Sequence, residues 1–176
     1  MEERPFRAAS EQEDSRALAP VPSDLDVFHA FVSAGQRLAE IHVHYEQQPE
    51  YPLAKTEKTG EKLDYRVTKM RLSKDKTSLI YNQFLTLSGI PPDTYEYRLG
   101  NRSALEWVID QYQVSTDKRN GITNDPNRED DPQYILRLIR QVITLSLETV
   151  KIVRSLPQLG LPPEEKSPTS SAVNLE

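Results

Sequence analysis

Apolar residues recur at helical spacing in three separate stretches of the chain. The first stretch follows Ser23, a good N-cap residue, and its pattern predicts a helix with one buried face. The apolar positions of this helix are Leu25, Phe28, Phe31, Val32, Leu38, Ile41 and Tyr45. Gly35 interrupts the helix, and we interpret it as a point of close packing. Pro49 and Pro52 end the helical region and lead into an extended stretch.

Two further helices are predicted in the second half of the chain. One runs from about residue 103 to residue 112 and carries Trp107 on its apolar face. The other runs from about Pro132 to Leu156 and is apolar around most of its circumference, so we expect it to pack against more than one neighbour. Its apolar positions are Tyr134, Ile135, Leu138, Ile139, Val142, Ile143, Leu145, Leu147, Val150, Ile152 and Val153.

Between the first two helices the pattern changes to that of short strands. The alternate spacing of Tyr65, Val67 and Lys69 places them on one face of a strand, and residues 77–81 and 84–87 predict two more strands. Residues 73–76 are polar enough to form a hairpin loop between the first of these three strands and the second. The sequence therefore predicts an α+β fold: one compact domain with a small antiparallel sheet and about three main helices.

The two ends of the chain differ in composition from the middle. Residues 1–22 are rich in Glu, Ala, Ser and Pro and predict a disordered arm, and residues 157–176, with a Ser/Thr run among several prolines, predict a disordered tail. A hydrophobic share of 36 % and a mean hydropathy of -0.65 also suggest that part of the chain does not fold. The predicted folded domain covers residues 23–156.

Several classes of protein lack support in this sequence. There are no cysteines, which excludes a disulfide framework and a cysteine-based zinc site. No apolar run reaches the roughly 18 residues of a membrane span, and the charged N-terminus lacks the apolar core of a secretory signal. We therefore expect a cytoplasmic protein.

No set of residues predicts a metal site or a catalytic centre. His42 and Glu46 have helical ligand spacing, but two ligands do not make a metal site. Residues 124–127 (NDPN) resemble the Asp-Pro-Pro-aromatic motif of adenine methyltransferases, but the second proline and the stacking aromatic residue are absent. A Walker-type phosphate loop and a Ser-His-Asp set are also missing. We expect no enzymatic activity, no metal and no cofactor.

The charge of the chain is locally reversed in one stretch. The net charge of -5 argues against nucleic-acid binding, but residues 62–77 contain six basic and two acidic residues, 6 − 2 = +4. Within this stretch Lys69 and Arg71 alternate with Met70 and Leu72, so a strand would direct both cations to one side. The predicted row of cations consists of Lys69, Arg71, Lys74 and Lys76. Such a row can contact a phosphate backbone; a solvated sheet face is the alternative.

A polar loop offers a second set of candidate contacts. Residues 113–133 contain few apolar residues, and loops of about this length are usually functional or disordered. Lys118 and Arg119 suit guanine edges, and Asn124 suits an adenine edge. A connector that uses Asn and Gly for its backbone geometry is the alternative.

Several phrases of the sequence, in order, resemble the C-terminal region of Type ISP restriction–modification enzymes. They extend over about residues 28–156, and the most distinctive is SALEWVIDQYQVSTDK at residues 103–118. The others are FVSAGQRLAEIH (31–42), YRVTKMR (65–71), IYN (80–82), LSGIP (87–91), GI (121–122), NDPN (124–127) and SLETVKIV (146–153).

The resemblance implies a function for the chain. It implies a DNA sequence-recognition domain, with double-stranded DNA as one partner and the methyltransferase and translocase portion of a Type ISP enzyme as the other. The apolar helices, the third among them, would dock on the methyltransferase, which would receive the DNA positioned by the cations and the polar loop. The alternative is a protein-interaction fragment that braces a truncated restriction enzyme and does not bind DNA by itself.

Overall fold

The computed structural model describes residues 24–60 and 62–158 of the chain. These residues form an α+β fold with three helices and small antiparallel sheets, which confirms the predicted fold class. The helices are α1 (Leu25–Val43), α2 (Ala104–Gln111) and α3 (Tyr134–Arg154), with short 3₁₀ helices at Tyr45–Gln47 and Pro92–Tyr95. The strands are β1 (Ala54–Glu57), β2 (Arg71–Leu72), β3 (Ser78–Ile80), β4 (Leu85–Ser88), β5 (Arg98–Leu99), β6 (Arg102–Ser103), β7 (Ser115–Thr116) and β8 (Thr123–Asn124).

Helix α3 lies at the centre of the domain. It contacts α1, α2 and both 3₁₀ helices, and its circumference is buried except for a strip that includes Arg137, Thr144 and Lys151. The prediction that this helix packs against more than one neighbour is confirmed. Its buried apolar residues join those of the sheet and of α2 in a single core that includes Leu79, Leu87 and Leu105.

The main sheet has four antiparallel strands in the order β1-β4-β3-β2. Strands β3 and β4 confirm two of the predicted strands, and the polar turn at residues 73–76 connects β2 to β3 as expected. Strand β2 pairs only with β3, so it forms an edge of the sheet. The strands β5 and β6 form one small hairpin, and β7 and β8 form another.

Helix α1 differs from its prediction in three respects. Its N-cap is Asp24, whose side chain accepts a hydrogen bond from the Asp26 amide, whereas the predicted cap, Ser23, lies outside the described residues. None of its residues is buried, because it contacts the domain chiefly along α3. Gly35 is not a point of close packing: a Cβ atom there would find no neighbouring atom within 4 Å.

The predicted N-terminal arm, residues 1–22, and residues 159–176 of the predicted tail lie outside the described residues. Within the part of the chain that is described, no helix has the length and apolar character needed to cross a membrane.

Candidate nucleic-acid interface

An extended segment, residues 64–68, leads into the predicted row of cations. Its five consecutive backbone carbonyl groups each accept a hydrogen bond, and four of these five hydrogen bonds come from side chains. The Asn82 amide donates to the carbonyls of Asp64 and Arg66, and the Tyr81 hydroxyl donates to that of Tyr65. Because side chains satisfy this backbone, the predicted strand at residues 65–69 does not form.

Asn127 holds the next residue of this segment from the opposite side. Its Nδ2 donates to the Val67 carbonyl oxygen at 2.8 Å, and its Oδ1 accepts from the Val67 amide at 2.8 Å. Asp125 accepts hydrogen bonds from Asn127 and also forms an ion pair with Arg66. Asp125 and Asn127 of the NDPN phrase thus clamp residues 66 and 67, which is a structural task.

The predicted alternation of Lys69 and Arg71 with Met70 and Leu72 is present. Met70 is buried and Leu72 is partly buried, whereas both cations are exposed. Only residues 71 and 72 belong to β2, however, and Val67, which is also buried, is out of phase with Met70. The alternation of buried and exposed residues therefore shifts by one residue at Thr68–Lys69. The prediction that Val67 and Lys69 share one face of a strand was wrong.

The two lysines in the turn after β2 have different surroundings. Lys74 is exposed and has no acidic partner within the described residues. Lys76 instead donates to the Glu106 carboxylate at 2.8 Å and lies 5.2 Å from the centre of the Tyr95 ring. The expectation that Lys76 belongs to a free row of cations is therefore not supported, because a nearby acid neutralises it.

The polar loop predicted at residues 113–133 contains the hairpin of β7 and β8. Lys118 and Arg119 lie in its exposed tip, where the Arg119 and Ile122 amides donate to Asp117 and Asn120 side chains. Asn124 is exposed at the end of β8. These hydrogen bonds give the tip a defined conformation, so Asn120 serves the backbone geometry of a connector, as the alternative interpretation expects. The side chains of Lys118 and Arg119 are exposed to solvent.

Two adjacent grooves bring several of these residues together. Lys69 and Asn124 line one groove, which we call the Lys69 groove, together with Gln111, Gln113 and Ser115. Arg71 lines the next, the Arg71 groove, together with Asn101 and Arg102. Asp110 and Gln113 line both, so the two grooves are adjacent. Lys74, Lys76, Lys118 and Arg119 do not line either groove.

The sequence interpretation missed the contribution of α2 to these grooves. Glu106 and Asp110 are four residues apart, which places them on one face of α2, and Arg102 and Gln113 flank the helix at similar spacing. Arg102 forms an ion pair with Asp110 at 2.8 Å and lies 5.3 Å from the centre of the Trp107 ring. The spacing of these polar residues in the sequence could have indicated that α2 lines the grooves together with Lys69 and Arg71.

The other candidate residues do not form a metal site. No group of His, Asp and Glu residues within residues 24–60 and 62–158 is arranged to hold a metal ion. His42 instead lies between Leu38 and Tyr97: its Nδ1 donates to the Leu38 carbonyl oxygen at 2.6 Å, and its Nε2 accepts from the Tyr97 hydroxyl at 2.8 Å. This pairing links α1 to the segment that follows the second 3₁₀ helix.

Comparisons with known proteins agree with the sequence resemblance. The model of the Type ISP C-terminal specificity domain matches residues 18–138. The ATP-dependent Type ISP restriction–modification enzyme LlaBIII bound to DNA is similar, with 41 % identity and a TM-score of 0.68 over 74 % of this chain and 9 % of LlaBIII. A search of curated proteins found no match.

Two further solved structures are also similar. A nuclease-deletion mutant of the Type ISP restriction–modification enzyme LlaGI, in complex with a DNA substrate mimic, has 40 % identity and a TM-score of 0.69 over 79 % of this chain and 13 % of its own. A DrdV–DNA complex has 29 % identity and a TM-score of 0.60, over 74 % of this chain and 14 % of its own. This chain therefore spans only about a tenth of the length of these proteins, and it belongs to the family of Type ISP C-terminal specificity domains.

Proposed function

We propose that this chain recognises a DNA sequence and positions the duplex for a methyltransferase and translocase portion supplied elsewhere. The observation that carries the proposal is the pair of adjacent grooves lined by Lys69 and Arg71, in a domain of the specificity family. The three similar structures described above were determined with DNA or a DNA mimic bound.

The two sets of residues would divide the task. Lys69, Arg71 and Lys74 are exposed and have no acidic partner within the described residues, so they are free to contact phosphates. Lys118 and Arg119 in the hairpin tip would add contacts to phosphates or guanine edges, and Asn124 would contact an adenine edge. Phosphate contacts would set the register of the duplex, and base contacts would select the sequence.

The apolar surface of α1 would carry the contact with the rest of the enzyme. A stripe of exposed apolar residues runs along this helix, and Leu25, Phe28 and Val43 are 67 %, 42 % and 73 % exposed. The apolar residues of α3, by contrast, are buried almost entirely within this domain, so α3 is not available as the docking helix. An exposed stripe of this kind is typical of a surface that another protein covers.

We also propose that the chain contributes recognition and no catalysis. The expected result is that purified protein transfers no methyl group from S-adenosylmethionine and hydrolyses no ATP. Either activity in clean protein would contradict the assignment of the catalytic steps to another portion of the system.

Duplex binding measured against salt concentration tests the proposal. Removal of Lys69 and Arg71 together (K69A/R71A) should weaken binding to all sequences and reduce the slope of log affinity against log salt by about 1–2. A matched control, R37A/K151A, removes one arginine and one lysine that lie on α1 and α3 and contact Glu148. The control should bind as the parent does.

A bracing fragment without DNA binding remains the second candidate, and the exposed stripe on α1 together with the net charge of -5 favours it. Absent or salt-independent binding by the parent, both alone and with the methyltransferase portion, would favour this second function. Equal binding by K69A/R71A and the parent would refute the assigned cationic surface.

A further inference from the structure

Two of the four residues of the NDPN phrase, Asp125 and Asn127, contact the segment that leads to Lys69. Asp125 contacts Arg66, and Asn127 contacts Val67. Two residues that are two positions apart in the NDPN phrase therefore contact two consecutive residues of the segment. Asp125 also accepts from the Asn127 amide at 3.0 Å and from its side chain at 2.7 Å. Lys69 follows Val67 by two residues, and Asn124 precedes Asp125 by one.

We propose that Asn127 is a positioning residue for DNA recognition, which holds Lys69 and Asn124 at a fixed separation across the Lys69 groove. The inference rests on the proposed function and deepens it, because it names the side chain that fixes the arrangement of the recognition surface. Asn127 itself does not line the Lys69 groove, so its effect on DNA is transmitted through Val67.

The two hydrogen bonds of Asn127 control the direction of the backbone. The Val67 side chain is fully buried and anchors the residue in the core, and the Asn82 amide, through the Arg66 carbonyl, also holds the peptide plane that precedes Val67, so the plane that follows Val67 is the one that depends most on Asn127. When Asn127 binds both the amide and the carbonyl of Val67, it fixes the planes on both sides. The following residues, which carry Lys69, then leave Val67 in a single direction.

A third link joins the same segment to the start of the β7–β8 hairpin. The Val114 amide donates to the Thr68 carbonyl oxygen at 3.2 Å. Residues 114 and 127 therefore hold Thr68 and Val67 from the two ends of the stretch that contains the hairpin. The hairpin and the cationic segment behave as one unit, and the groove between them has a defined width.

A segment that is already ordered avoids a cost on binding. Ordering a flexible, charged segment against DNA costs conformational entropy that subtracts from the affinity. Hydrogen bonds from Asn127, and then Arg66, lower the pKa of the Asp125 carboxyl, because these contacts favour its charged form.

A double-mutant cycle on DNA binding tests the inference. N127A should weaken duplex binding by roughly three- to tenfold, and N127A/K69A should bind about as weakly as the weaker of the two single variants, since Asn127 acts through Lys69. Faster amide exchange at Val67 in N127A would report the lost hydrogen bond directly. N127S, which shortens the side chain without adding a charge beside Asp125, supplies a second variant should N127A fold poorly.

The control removes a side-chain amide that binds a backbone carbonyl in a different part of the domain. Gln141 donates to the Glu46 carbonyl and lines neither groove. Q141A should therefore reduce stability without changing the affinity for DNA. Fully additive effects of N127A and K69A, or an unchanged affinity of N127A, would overturn the positioning role while leaving DNA recognition intact. Failure of the parent to bind DNA would instead refute the proposed function and the inference together.

Discussion

Lys76 and Glu106 join the β2–β3 turn to the first turn of α2 through a contact of 2.8 Å. The same carboxylate accepts hydrogen bonds from the amide and the hydroxyl of Ser103, whose side chain in turn accepts from the Glu106 amide. Glu106 therefore completes a capping box and neutralises a lysine at once. Lys76 contributes to the stability of the domain, in contrast to Lys69, which lines a groove.

Replacement of Lys76 by alanine should lower stability and leave DNA affinity nearly unchanged. The loss of the pair with Glu106 should cost about 0.5–1 kcal/mol, because the lysine side chain is half exposed and such pairs contribute little. Urea unfolding and duplex binding of K76A and K69A, measured side by side, check this. A larger loss of affinity in K76A than in K69A would show that Lys76 leaves Glu106 to contact DNA.

The stability of the domain should fall in acid in part through Glu106. Its hydrogen bonds from Lys76 and Ser103 lower the pKa of its carboxyl from 4.5 to about 2. Because the pKa is lower in the folded state, this contribution is complete above about pH 4.5 and disappears as the pH falls toward 2. We expect about 1–2 kcal/mol, the usual contribution of a helix cap with a partly exposed carboxylate.

The variant E106Q isolates this contribution from those of the other carboxyl groups. Asp125, Asp131 and Glu46 also have lowered pKa values, so the parent loses stability in acid for several reasons. The difference in unfolding free energy between the parent and E106Q should be largest at pH 7 and shrink below pH 4.5. A difference that stays constant from pH 7 to pH 2.5 would contradict the capping role.

Replacement of Trp107 by alanine should destabilise the domain by about 1–2 kcal/mol. The apolar pattern of α2 suggests a buried tryptophan with a cost of about 3–5 kcal/mol, but its side chain is 36 % exposed and lies against Arg102. Its Nε1 donates to the Leu99 carbonyl oxygen at 2.9 Å, so it links α2 to the β5–β6 hairpin. Thermal unfolding of W107A measures the effect, and W107F should recover the packing but not the hydrogen bond.

The sequence predicted the elements whose causes are local. Ser103 and Glu106 are three residues apart, which is the spacing of a capping box, and α2 begins where that spacing places it. The polar turn at residues 73–76 follows from its own side chains, since Ser73 and Asp75 bond within the turn. Helix α3 was recognised because its apolar residues alone specify burial.

The elements that were missed depend on distant partners. Val67 and Asn127 are 60 residues apart, and no local pattern indicates that an asparagine will replace a neighbouring strand. The neutralisation of Lys76 depends in the same way on an acid 30 residues away. The sequence thus predicted two cations that line the grooves, Lys69 and Arg71, but not the residues of α2 that line them as well.

Replacement of Gly35 by alanine should stabilise the domain by about 0.5–1 kcal/mol. Gly35 lies within α1, is exposed, and has open space where the Cβ would stand, so alanine adds helix propensity without a clash. Gly89 provides the contrast: its site is equally open, but its φ of +90° is one that alanine adopts only with strain. Urea unfolding of G35A and G89A should therefore give shifts of opposite sign. A destabilised G35A would mean that α1 requires the flexibility of glycine at this position, and the assignment of Gly35 as an ordinary exposed helical residue would be wrong.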